Sequence, residues 1–310
     1  MTDCSIIVLG SVNTDLVIRG PRLPSPGETV LGGRFYQSAG GKGANQAVAA
    51  ARAGSGSVAL IAAVGDDAFG RAALAHVAAE RLVCDYVKVV PGRASGVALI
   101  MVDDRGENSI SVASGANYEL LPSDVDSIPD ELFAASKIFL ACLELPMESV
   151  ARGLQRAKAA GLVTILNPAP ATRDLVDAGL LKRVDIITPN ETEAALLTGL
   201  SADDEAGASR AGRKLQALGC GVAVVTRGAS GCTIIDRQVT TVPAIRVEAV
   251  DTTAAGDAFN GALAVALAEG RSLEEAIRWT TVAAGLSVTR PGAQPSLPSR
   301  AEIDATGPTS

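Results

Sequence analysis

The residues best suited to chemistry are two carboxylates in the segment Asp251-Thr-Thr-Ala-Ala-Gly-Asp257, which we call the anion turn. Small residues separate the two acids, and an apolar run typical of a helix follows. Such a turn leaves backbone N–H groups uncovered, and the start of a helix adds the positive end of its dipole, so the segment is predicted to bind an anion. Asp257 stands at the edge of that site. Phosphoryl transfer to an alcohol requires an anion site with a carboxylate base beside it.

Composition narrows the fold class and the range of partners. The 310 residues are 47% hydrophobic but only 3% aromatic, which favours close-packed helices on a buried sheet. The formal charge of −7 argues against nucleic acid or an anionic membrane as the main partner. We therefore expect small-molecule ligands that bind at locally built sites.

Cysteine and histidine usage limits the chemistry further. Five cysteines without a CxxC pair fit reduced thiols. The single histidine, His76, lies in a helical pattern and is interpreted as structural, which removes Ser-His-Asp and Cys-His mechanisms. The N-terminus has no signal-peptide pattern and no apolar stretch reaches the length of a membrane span. A cytoplasmic protein without a membrane partner is expected.

From about residue 130 onward, short apolar runs alternate with helical patterns, which predicts a parallel sheet covered by helices on both faces. The predicted strands are 137–141, 162–166, 185–188 and 222–226. The predicted helices are 147–160, 191–197, 205–218, 258–269 and 273–288. In such sheets ligands bind beyond the carboxyl ends of the strands, where loops meet helix starts.

The first third of the chain is predicted to form a small β-sheet lid that grows out of a single domain spanning residues 1–310. Its strand-like segments are 12–19, 29–36, 85–90, 96–102 and 108–113, interleaved with Ala-rich helices at 44–53 and 68–79. The lid is therefore expected within about 12–36 and 85–114. The Pro- and Ser-rich tail after Pro291 is expected to be loosely structured.

A second polar cluster lies in Gly40-Gly-Lys-Gly-Ala-Asn-Gln46, which opens a helix. It is not a P-loop, because Gly43 stands where Ser or Thr is needed, and no G-x-G-x-x-G follows the first strand, so a Walker ATPase and a Rossmann dehydrogenase are disfavoured. Together with Asn13 and Asp15, the cluster offers groups that pair with several hydroxyls of a polyol. A helix cap with a loop lysine remains an alternative interpretation.

Seven segments in this order make the chain similar to the PfkB-type carbohydrate kinases, with a resemblance that runs from about residue 5 to 304. They are Gly10-Ser-Val-Asn-Thr-Asp15, Pro26-Gly-Glu-Thr29, Gly40-Gly-Lys-Gly-Ala-Asn-Gln-Ala47, Asn167-Pro-Ala-Pro-Ala171, Thr188-Pro-Asn-Glu-Thr-Glu193, the anion turn, and Val288-Thr-Arg-Pro-Gly-Ala-Gln-Pro-Ser296. The glycine-lysine segment and the anion turn are specific for the family. The first and last segments resemble those of members that act on D-ribose.

The resemblance implies a three-layer α/β/α fold with a mostly parallel central sheet and a small β-sheet lid. It implies ATP-dependent phosphorylation of D-ribose at its 5-hydroxyl, giving ribose 5-phosphate and ADP, in a homodimer formed through the lid. A kinase for deoxyribose, fructose, adenosine or a related compound is the alternative within the family. A non-catalytic sugar-binding regulator is the alternative from another class, and the intact Asp257 and anion turn argue against it.

In this family the second Asp of the anion turn accepts the proton of the sugar hydroxyl, a role that the resemblance assigns to Asp257. Backbone N–H groups at Ala254, Ala255 and Gly256 would bind the charge that develops on the phosphoryl oxygens. From the residues alone, an N-cap of the following helix remains an alternative for Asp257. Ala254 stands where many relatives have glycine, and alanine costs about 1 kcal/mol if the position needs a positive φ.

The resemblance also assigns three ligand sites. The sugar is expected at Asn13, Asp15, Gly41, Lys42, Asn45, Glu144 and Asp257. ATP is expected at Asn190, Glu193, Thr226, Gly228, Gly231, Gly256 and Thr281. Asn190 and Glu193 would hold Mg²⁺ through water, although a helix-capping pair is also a valid interpretation of their spacing. A monovalent cation, usually K⁺, is expected beside the anion turn at Asp251, Thr253, Ser287, Arg290, Gly292 and Ser296.

Overall fold

The structure is a computed structural model that describes residues 4–307. Within this range the chain forms thirteen strands: β1 (Cys4–Leu9), β2 (Asn13–Arg19), β3 (Arg34–Gly40), β4 (Ser57–Gly65), β5 (Val87–Val90), β6 (Gly96–Val102), β7 (Asn108–Ala113), β8 (Ile138–Ala141), β9 (Val163–Leu166), β10 (Ile186–Ile187), β11 (Val222–Thr226), β12 (Cys232–Ile235) and β13 (Val239–Val242).

The same range contains eleven α-helices: α1 (Lys42–Ala53), α2 (Ala68–Ala79), α3 (Pro122–Asp126), α4 (Asp130–Ala135), α5 (Met147–Ala159), α6 (Asp174–Asp177), α7 (Glu191–Thr198), α8 (Glu205–Ala217), α9 (Ala255–Ala268), α10 (Leu273–Ser287) and α11 (Arg300–Thr306). Short 3₁₀ turns, including Gln294–Ser296, connect some of them. None of the helices within residues 4–307 has the length and apolar character needed to cross a bilayer.

Nine strands form the central sheet, in the order β13-β12-β11-β10-β9-β8-β1-β4-β5 among the described residues. Every neighbouring pair from β11 to β5 is parallel, and only β12 and β13 run antiparallel at one edge. A parallel sheet joined by helical crossovers must be covered on both faces, and its central strands accordingly contain runs of buried aliphatic residues. The predicted mostly parallel sheet is confirmed.

The central sheet separates two hydrophobic cores. Because successive side chains of a strand point to opposite faces, Ile6 and Val8 of β1 join the core under α1, α9 and α10, whereas Ile7 and Leu9 join the core under α5, α7 and α8. This arrangement is the predicted three-layer α/β/α architecture. It directs the helix starts of both layers toward the carboxyl edge of the sheet.

A separate four-stranded sheet has the order β3-β2-β6-β7, with β2 parallel to β6 and the other pairs antiparallel. Its strand β2 begins four residues after β1 ends (9 to 13), so this small sheet extends from the carboxyl edge of the central sheet. A hairpin turn at Arg105 joins β6 to β7, where the Asp103 carboxylate accepts hydrogen bonds from the backbone N–H groups of Arg105 and Glu107 at 2.8 and 3.0 Å.

Two expectations for the first third are wrong in detail. The strand expected at 29–36 lies instead at Arg34–Gly40, because Gly32 has a φ of 95° that an extended strand does not accommodate. Strand β5 pairs with β4 at the edge of the central sheet, so the expected lid range 85–114 includes a strand that belongs elsewhere. A short β-branched run suits either sheet, and only the crossover through α2 places it beside β4.

For the described residues up to 307, the expectation of a loose tail after Pro291 is also wrong, and residues 308–310 lie outside the described range. Gln294 and Ser296 are fully buried, and α11 follows with Ile303 in the core. Ser299 and Glu302 form a capping box, in which the Ser299 backbone N–H donates to the Glu302 carboxylate at 2.7 Å. The proline and serine content of this segment therefore marks turns and a helix start.

Candidate active site

The site lies where the N-termini of α1 and α9 meet at the carboxyl edge of the central sheet. Close approaches bring the two helices there: a Cβ on Gly43 would lie 2.3 Å from the carbonyl carbon of Gly10, and a Cβ on Gly261 would lie 2.5 Å from the Ala49 Cβ. Neither position accommodates a larger side chain without backbone movement. Gly43 thus serves the close packing of α1 against the end of β1, which agrees with the rejection of a P-loop.

Asp257 occupies the first turn of α9 and is only 5% exposed. Its Oδ2 accepts a hydrogen bond from Asn45 Nδ2 at 2.9 Å, and its Oδ1 accepts one from Gln46 Nε2 at 3.0 Å. Burial raises the pKa of this carboxyl above its usual range, against the opposing effects of Lys42 and the two amides. The interpretation of Asp257 as the helix N-cap is wrong, because Ala254 holds that position.

Ala254 adopts a left-handed conformation with a φ of 60° and a ψ of 12°. The helix begins three residues earlier than the predicted range of 258–269, so Ala255, Gly256 and Asp257 form its first turn. The first N–H groups of a helix have no acceptor within it, and the dipole is positive there. Around Gly256 there is open space, since a Cβ built there meets no atom within 4 Å. The anion turn is therefore open to a ligand.

A cavity of about 190 Å³ lies in front of this helix start. It brings together groups from five separate parts of the chain: Lys42, Asn167, Ala169, Thr188, Asn190, Glu193, Thr226, Thr252, Ala254, Ala255, Gly256, Asp257 and Asn260. Eight of the residues predicted for catalysis, sugar or nucleotide binding, Thr226 among them, thus line one cavity. The buried ammonium and carboxylate groups give it a mixed charge suited to polar ligands.

On the sugar side, Asp15, Lys42 and Glu144 form a charged group near Asp257. Burial, then the nearby charges of Glu144 and Asp257, raise the pKa of Asp15 to about 6. Burial lowers the pKa of Lys42, but the charges of Asp257 and Glu144 outweigh this effect and raise it above its usual range, so the ammonium keeps its charge. Glu144 Oε2 accepts hydrogen bonds from the Lys42 backbone N–H at 3.1 Å and from the Ser11 hydroxyl.

Glycines and amides shape the rest of the sugar side. Gly40 must lack a side chain, since its Cβ would lie 2.3 Å from both Asp15 carboxylate oxygens, and Gly41 has a φ of 88°. Asn13 is buried, and its Oδ1 accepts a hydrogen bond from Asn117 Nδ2 at 2.7 Å. Asn117 is a structural partner of Asn13 that the sequence reasoning missed.

On the nucleotide side, Asn190 and Glu193 form the capping pair of α7. The Asn190 N–H donates to Glu193 Oε2 at 2.9 Å, and the Glu193 N–H donates to Asn190 Oδ1 at 2.8 Å. The capping interpretation is therefore confirmed, and both residues line the cavity. Burial raises the pKa of Glu193, against the effects of the Asn190 N–H and Lys42.

The remaining predicted nucleotide residues stand outside the cavity wall. Gly228 and Gly231 follow β11 in a tight turn with φ values of 49° and 84°, and a Cβ on Gly231 would lie 2.1 Å from the Val242 carbonyl oxygen. Thr281 is buried on α10, and its hydroxyl donates to the Ile277 carbonyl at 2.7 Å. Their role toward a nucleotide remains a prediction.

Behind the anion turn, Asp251 ties two loops together. Its Oδ1 accepts a hydrogen bond from the Thr253 N–H at 2.9 Å and its Oδ2 accepts one from the Gly292 N–H at 2.8 Å. Burial alone would raise the pKa of Asp251, but these hydrogen bonds lower it below its usual range, so the group stays ionised. A fixed negative charge thus stands beside backbone oxygens.

Three other residues of the expected cation set lie on the 287–296 segment with their side chains already engaged. The Ser287 hydroxyl donates to the Ala284 carbonyl and the Ser296 hydroxyl to the Ala293 carbonyl, each at 2.8 Å. The Arg290 guanidinium pairs with Glu302. Binding of a monovalent cation by this set remains a prediction.

Sequence reasoning missed four polar residues behind Asp257: Gln46, Asn167, Thr188 and Asn260. All four are buried and hydrogen-bonded to one another or to the turn. Gln46 and Asn167 stand inside quoted segments, so a signal was present. A polar residue on the buried side of an otherwise apolar helix is the pattern that would have identified Gln46 and Asn260.

The fold and the site define a phosphotransferase of the α/β class: a buried carboxylate, a lysine and an open helix N-terminus share one cavity. The family model described as pfkB family carbohydrate kinase matches residues 4–300. The chain belongs to this family, as the resemblance predicted.

Individual relatives agree over nearly the whole chain. A ribokinase from Haemophilus influenzae is 42% identical over 299 residues, which cover 96% of each chain. A deoxyribokinase from Salmonella typhi is 39% identical over 295 residues, covering 95% of each. The solved structure of Arabidopsis thaliana ribokinase complexed with ribose and ATP shares 33% identity and a TM-score of 0.87, covering 98% of each chain.

Proposed function

We propose that the protein transfers the γ-phosphoryl group of ATP to the 5-hydroxyl of D-ribose, giving ribose 5-phosphate and ADP. The observation that carries the proposal is the position of Asp257, a buried carboxylate held by two amides at the open start of α9. The similarity to ribokinases over 96% of the chain supports ribose as the sugar.

Asp257 acts as a general base late in the transfer. A carboxylate whose pKa is ordinarily about 3.9 does not remove a proton from an alcohol whose pKa is near that of water, about 15.7, before bond formation. It orients the hydroxyl and accepts its proton as negative charge moves onto the phosphoryl oxygens. Raising the pKa of Asp257 by burial brings it closer to this task.

The backbone N–H groups of Ala255 and Gly256, with the turn at Ala254, stabilise the transferred group. Both residues line the cavity at the positive end of the α9 dipole, where charge develops in the transition state. The charge of Lys42 acts from the opposite helix start. These groups supply most of the electrostatic stabilisation, because little covalent chemistry is left for the protein to perform.

The sugar is held by the polar groups around the charged cluster. The binding set is Asn13, Asp15, Gly41, Lys42, Asn45 and Glu144. Carboxylates and amides pair with adjacent hydroxyls, and the glycine lets the sugar approach the backbone. The small sheet closes over this set and excludes water, so that hydrolysis of ATP does not compete.

The nucleotide lies along the other wall of the cavity, with its phosphates at the anion turn and near Thr226 and its base near Thr281, beside the Gly228–Gly231 turn. Asn190 Oδ1 and Glu193 Oε2 each accept one backbone N–H, and every such oxygen keeps a second lone pair for a water molecule. These donors fit Mg²⁺ that retains its water shell. The ion, when bound, would neutralise charge on the phosphate oxygens.

A monovalent cation, K⁺ in relatives of this kind, is proposed to bind beside Asp251. The ionised carboxylate and the neighbouring carbonyls of Thr253, Ser287, Arg290, Gly292 and Ser296 form an oxygen-rich set suited to such an ion. Its charge would organise the anion turn from behind. The residues of the chain do the rest of the positioning.

The enzyme is proposed to be a cytoplasmic homodimer joined through the small sheet, with sugar and ATP as its only other partners and no nucleic acid. One face of that sheet leaves Ile18, Phe35 and Leu99 exposed by 48%, 64% and 56%. Their register places all three on the same face. A second lid covering this apolar face would remove it from water.

The test is a comparison of Asp257→Asn with the natural chain at saturating ATP. The variant should lose activity by orders of magnitude while sugar and ATP still bind, as isothermal titration can measure. Turnover like that of the natural chain would remove Asp257 as the base. Ribose, deoxyribose, fructose and adenosine, each with K⁺ or with a choline salt, then identify the acceptor.

Phosphorylation of deoxyribose is a second candidate, favoured by the 39% identity to a deoxyribokinase over 95% of each chain. The two sugars differ only in the 2-hydroxyl. A site that hydrogen-bonds this hydroxyl should reject deoxyribose strongly, because the buried polar groups would be left unpaired. The ratio of kcat/KM for the two sugars decides between them.

A further inference from the structure

We propose that Gln46 is a positioning residue that holds Asp257 ionised and aimed at the sugar, through a buried amide network that also fixes the first turn of α9. The inference deepens the proposed function, because it rests on Asp257 being the base. No part of the resemblance assigns a role to Gln46.

Gln46 is fully buried on α1, one residue after Asn45. Its Nε2 donates to Asp257 Oδ1 and to Asn167 Oδ1, both at 3.0 Å. Asn167 Nδ2 donates to the Thr188 backbone carbonyl at 3.3 Å, and the Thr188 hydroxyl donates to Asn260 Oδ1 at 2.7 Å.

The network closes on the helix that carries the base. Asn260 Nδ2 donates to the Gly256 carbonyl at 2.8 Å, one residue before Asp257. One continuous series of hydrogen bonds therefore leaves the carboxylate through Gln46 and returns to the first turn of α9. A shift of either end would break at least one of these bonds, so the orientation of the base and the opening of the anion turn are linked.

The direction of the first bonds of the series follows from the charge of Asp257. An ionised carboxylate only accepts, so Gln46 must present its NH₂ group to it. Nε2 then also donates to Asn167 Oδ1, which turns the Asn167 NH₂ toward the Thr188 carbonyl. The Thr188 hydroxyl donates to Asn260 Oδ1, so the Asn260 NH₂ is turned toward Gly256. This set of amide orientations is compatible with an ionised Asp257, which accepts one N–H on each of its two oxygens.

A packing role alone does not explain the side chain. Among the described residues, Gln46 Oε1 has no hydrogen-bond partner although it is buried. Leaving an acceptor unsatisfied is unfavourable, and an apolar side chain of the same size would avoid this cost. What the amide contributes in exchange is two donated bonds, one of them to the carboxylate. The function of the Gln46 amide is therefore to hold the Asp257 carboxylate.

Loss of that donor has a predictable electrostatic sign. The Gln46 amide opposes the rise in the Asp257 pKa that burial causes. Without it, the carboxylate should protonate at a higher pH, and the low-pH limb of the kcat profile should move to higher pH by on the order of one unit. A purely structural residue would lower activity or stability without moving this limb.

The experiment measures kcat and the KM for ribose from pH 5 to 9 in Gln46→Met and Gln46→Glu. Gln46→Met should reduce kcat at pH 7 by about 10- to 100-fold, with the ribose KM within about threefold of the natural value, and shift the limb upward. Gln46→Glu keeps the shape and adds a second acid beside Asp257, so it should shift the limb further. It also keeps the test valid if the methionine variant does not fold.

Thr233→Val is the matched control. Thr233 is equally buried on β12, and its hydroxyl has no partner among the described residues, so valine should leave kcat and the pH limb unchanged. If both Gln46 variants fold and the low-pH limb of their kcat profiles does not shift, the inference about Gln46 is overturned. In that case an inactive Asp257→Asn variant would still support Asp257 as the base. An active Asp257→Asn would instead overturn the proposed function itself.

Discussion

The guanidinium of Arg52 donates a hydrogen bond to the backbone carbonyl of Gln294 at 2.6 Å, and so joins the end of α1 to the segment that carries Gly292. The same nitrogen donates to the Leu297 carbonyl at 3.2 Å, and Nε donates to Glu80 at 2.9 Å. Because α1 begins at Lys42 in the cavity, this helix connects the sugar side of the site to the loop behind the anion turn.

Arg52→Met should therefore lower the free energy of unfolding by about 1–3 kcal/mol, because it leaves two buried carbonyls and Glu80 without their donor. Chemical denaturation measures the change. Arg22→Met is the control: the Arg22–Glu28 pair is 53% and 34% exposed, and removing such a solvent-screened pair should leave the free energy of unfolding nearly unchanged. Equal losses in the two variants would contradict the proposed anchoring.

Ala254→Gly should stabilise the protein. Alanine at a φ of 60° is strained by about 1–2 kcal/mol, and glycine relieves this strain while it costs roughly 0.5–1 kcal/mol in chain entropy. We expect a gain of about 0.5–1 kcal/mol in the free energy of unfolding. Ala255→Gly, one residue inside α9, has no strain to relieve and should destabilise, so a gain in both variants would argue against the left-handed conformation.

Asp15→Asn should remove the pH dependence that Asp15 gives to the free energy of unfolding. The unfolded chain releases the Asp15 proton near its usual pKa of 3.8, whereas the folded protein keeps it up to about 6. Folding stability from this group is thus greatest below pH 4 and falls as the pH rises through 6, by on the order of 1–3 kcal/mol. Asparagine has no proton to lose and avoids this fall.

Thermal unfolding at pH 4.5 and pH 8 tests that sign. The Asp15→Asn variant should unfold at a higher temperature than the natural chain at pH 8, and this difference should be smallest at pH 4.5. Its affinity for ribose should weaken. Asp104→Asn, in the exposed hairpin turn, should show no such difference. A larger gain at the lower pH would contradict the raised pKa.

Gly43→Ala should destabilise the protein by about 3 kcal/mol or more, or prevent folding, because the added Cβ would lie 2.3 Å from the carbonyl carbon of Gly10. Backbone cannot rotate away as a side chain can. Gly20→Ala is the control, since a Cβ there finds its nearest atom at 3.9 Å and the φ is ordinary. Circular dichroism and denaturation of both variants measure the contrast.

Local patterns in the sequence were enough to predict most strands and helices of the central sheet and its covering layers. The predicted strand at 222–226 and the helix at 273–288 agree with β11 and α10 to within one residue, because apolar periodicity reports which face of an element is buried. Residue types and spacing also predicted ligand binding at the anion turn and the Gly40–Gln46 segment, and both contribute to the cavity. Their chemistry depends on groups that are near one another in the chain.

The tertiary structure decided which strands pair and which distant side chains meet. Periodicity shows that 87–90 can form a strand, but not that it pairs with β4, since strand pairing depends on a crossover and not on local pattern. The contact between Gln46 and Asp257 spans 211 residues and has no local signature. The sequence by itself predicted Asp257 as the base at the start of a helix. Only the packing of α1 against α9 determined that the amides of Asn45 and Gln46 hydrogen-bond to this carboxylate, because that contact joins residues far apart in the chain.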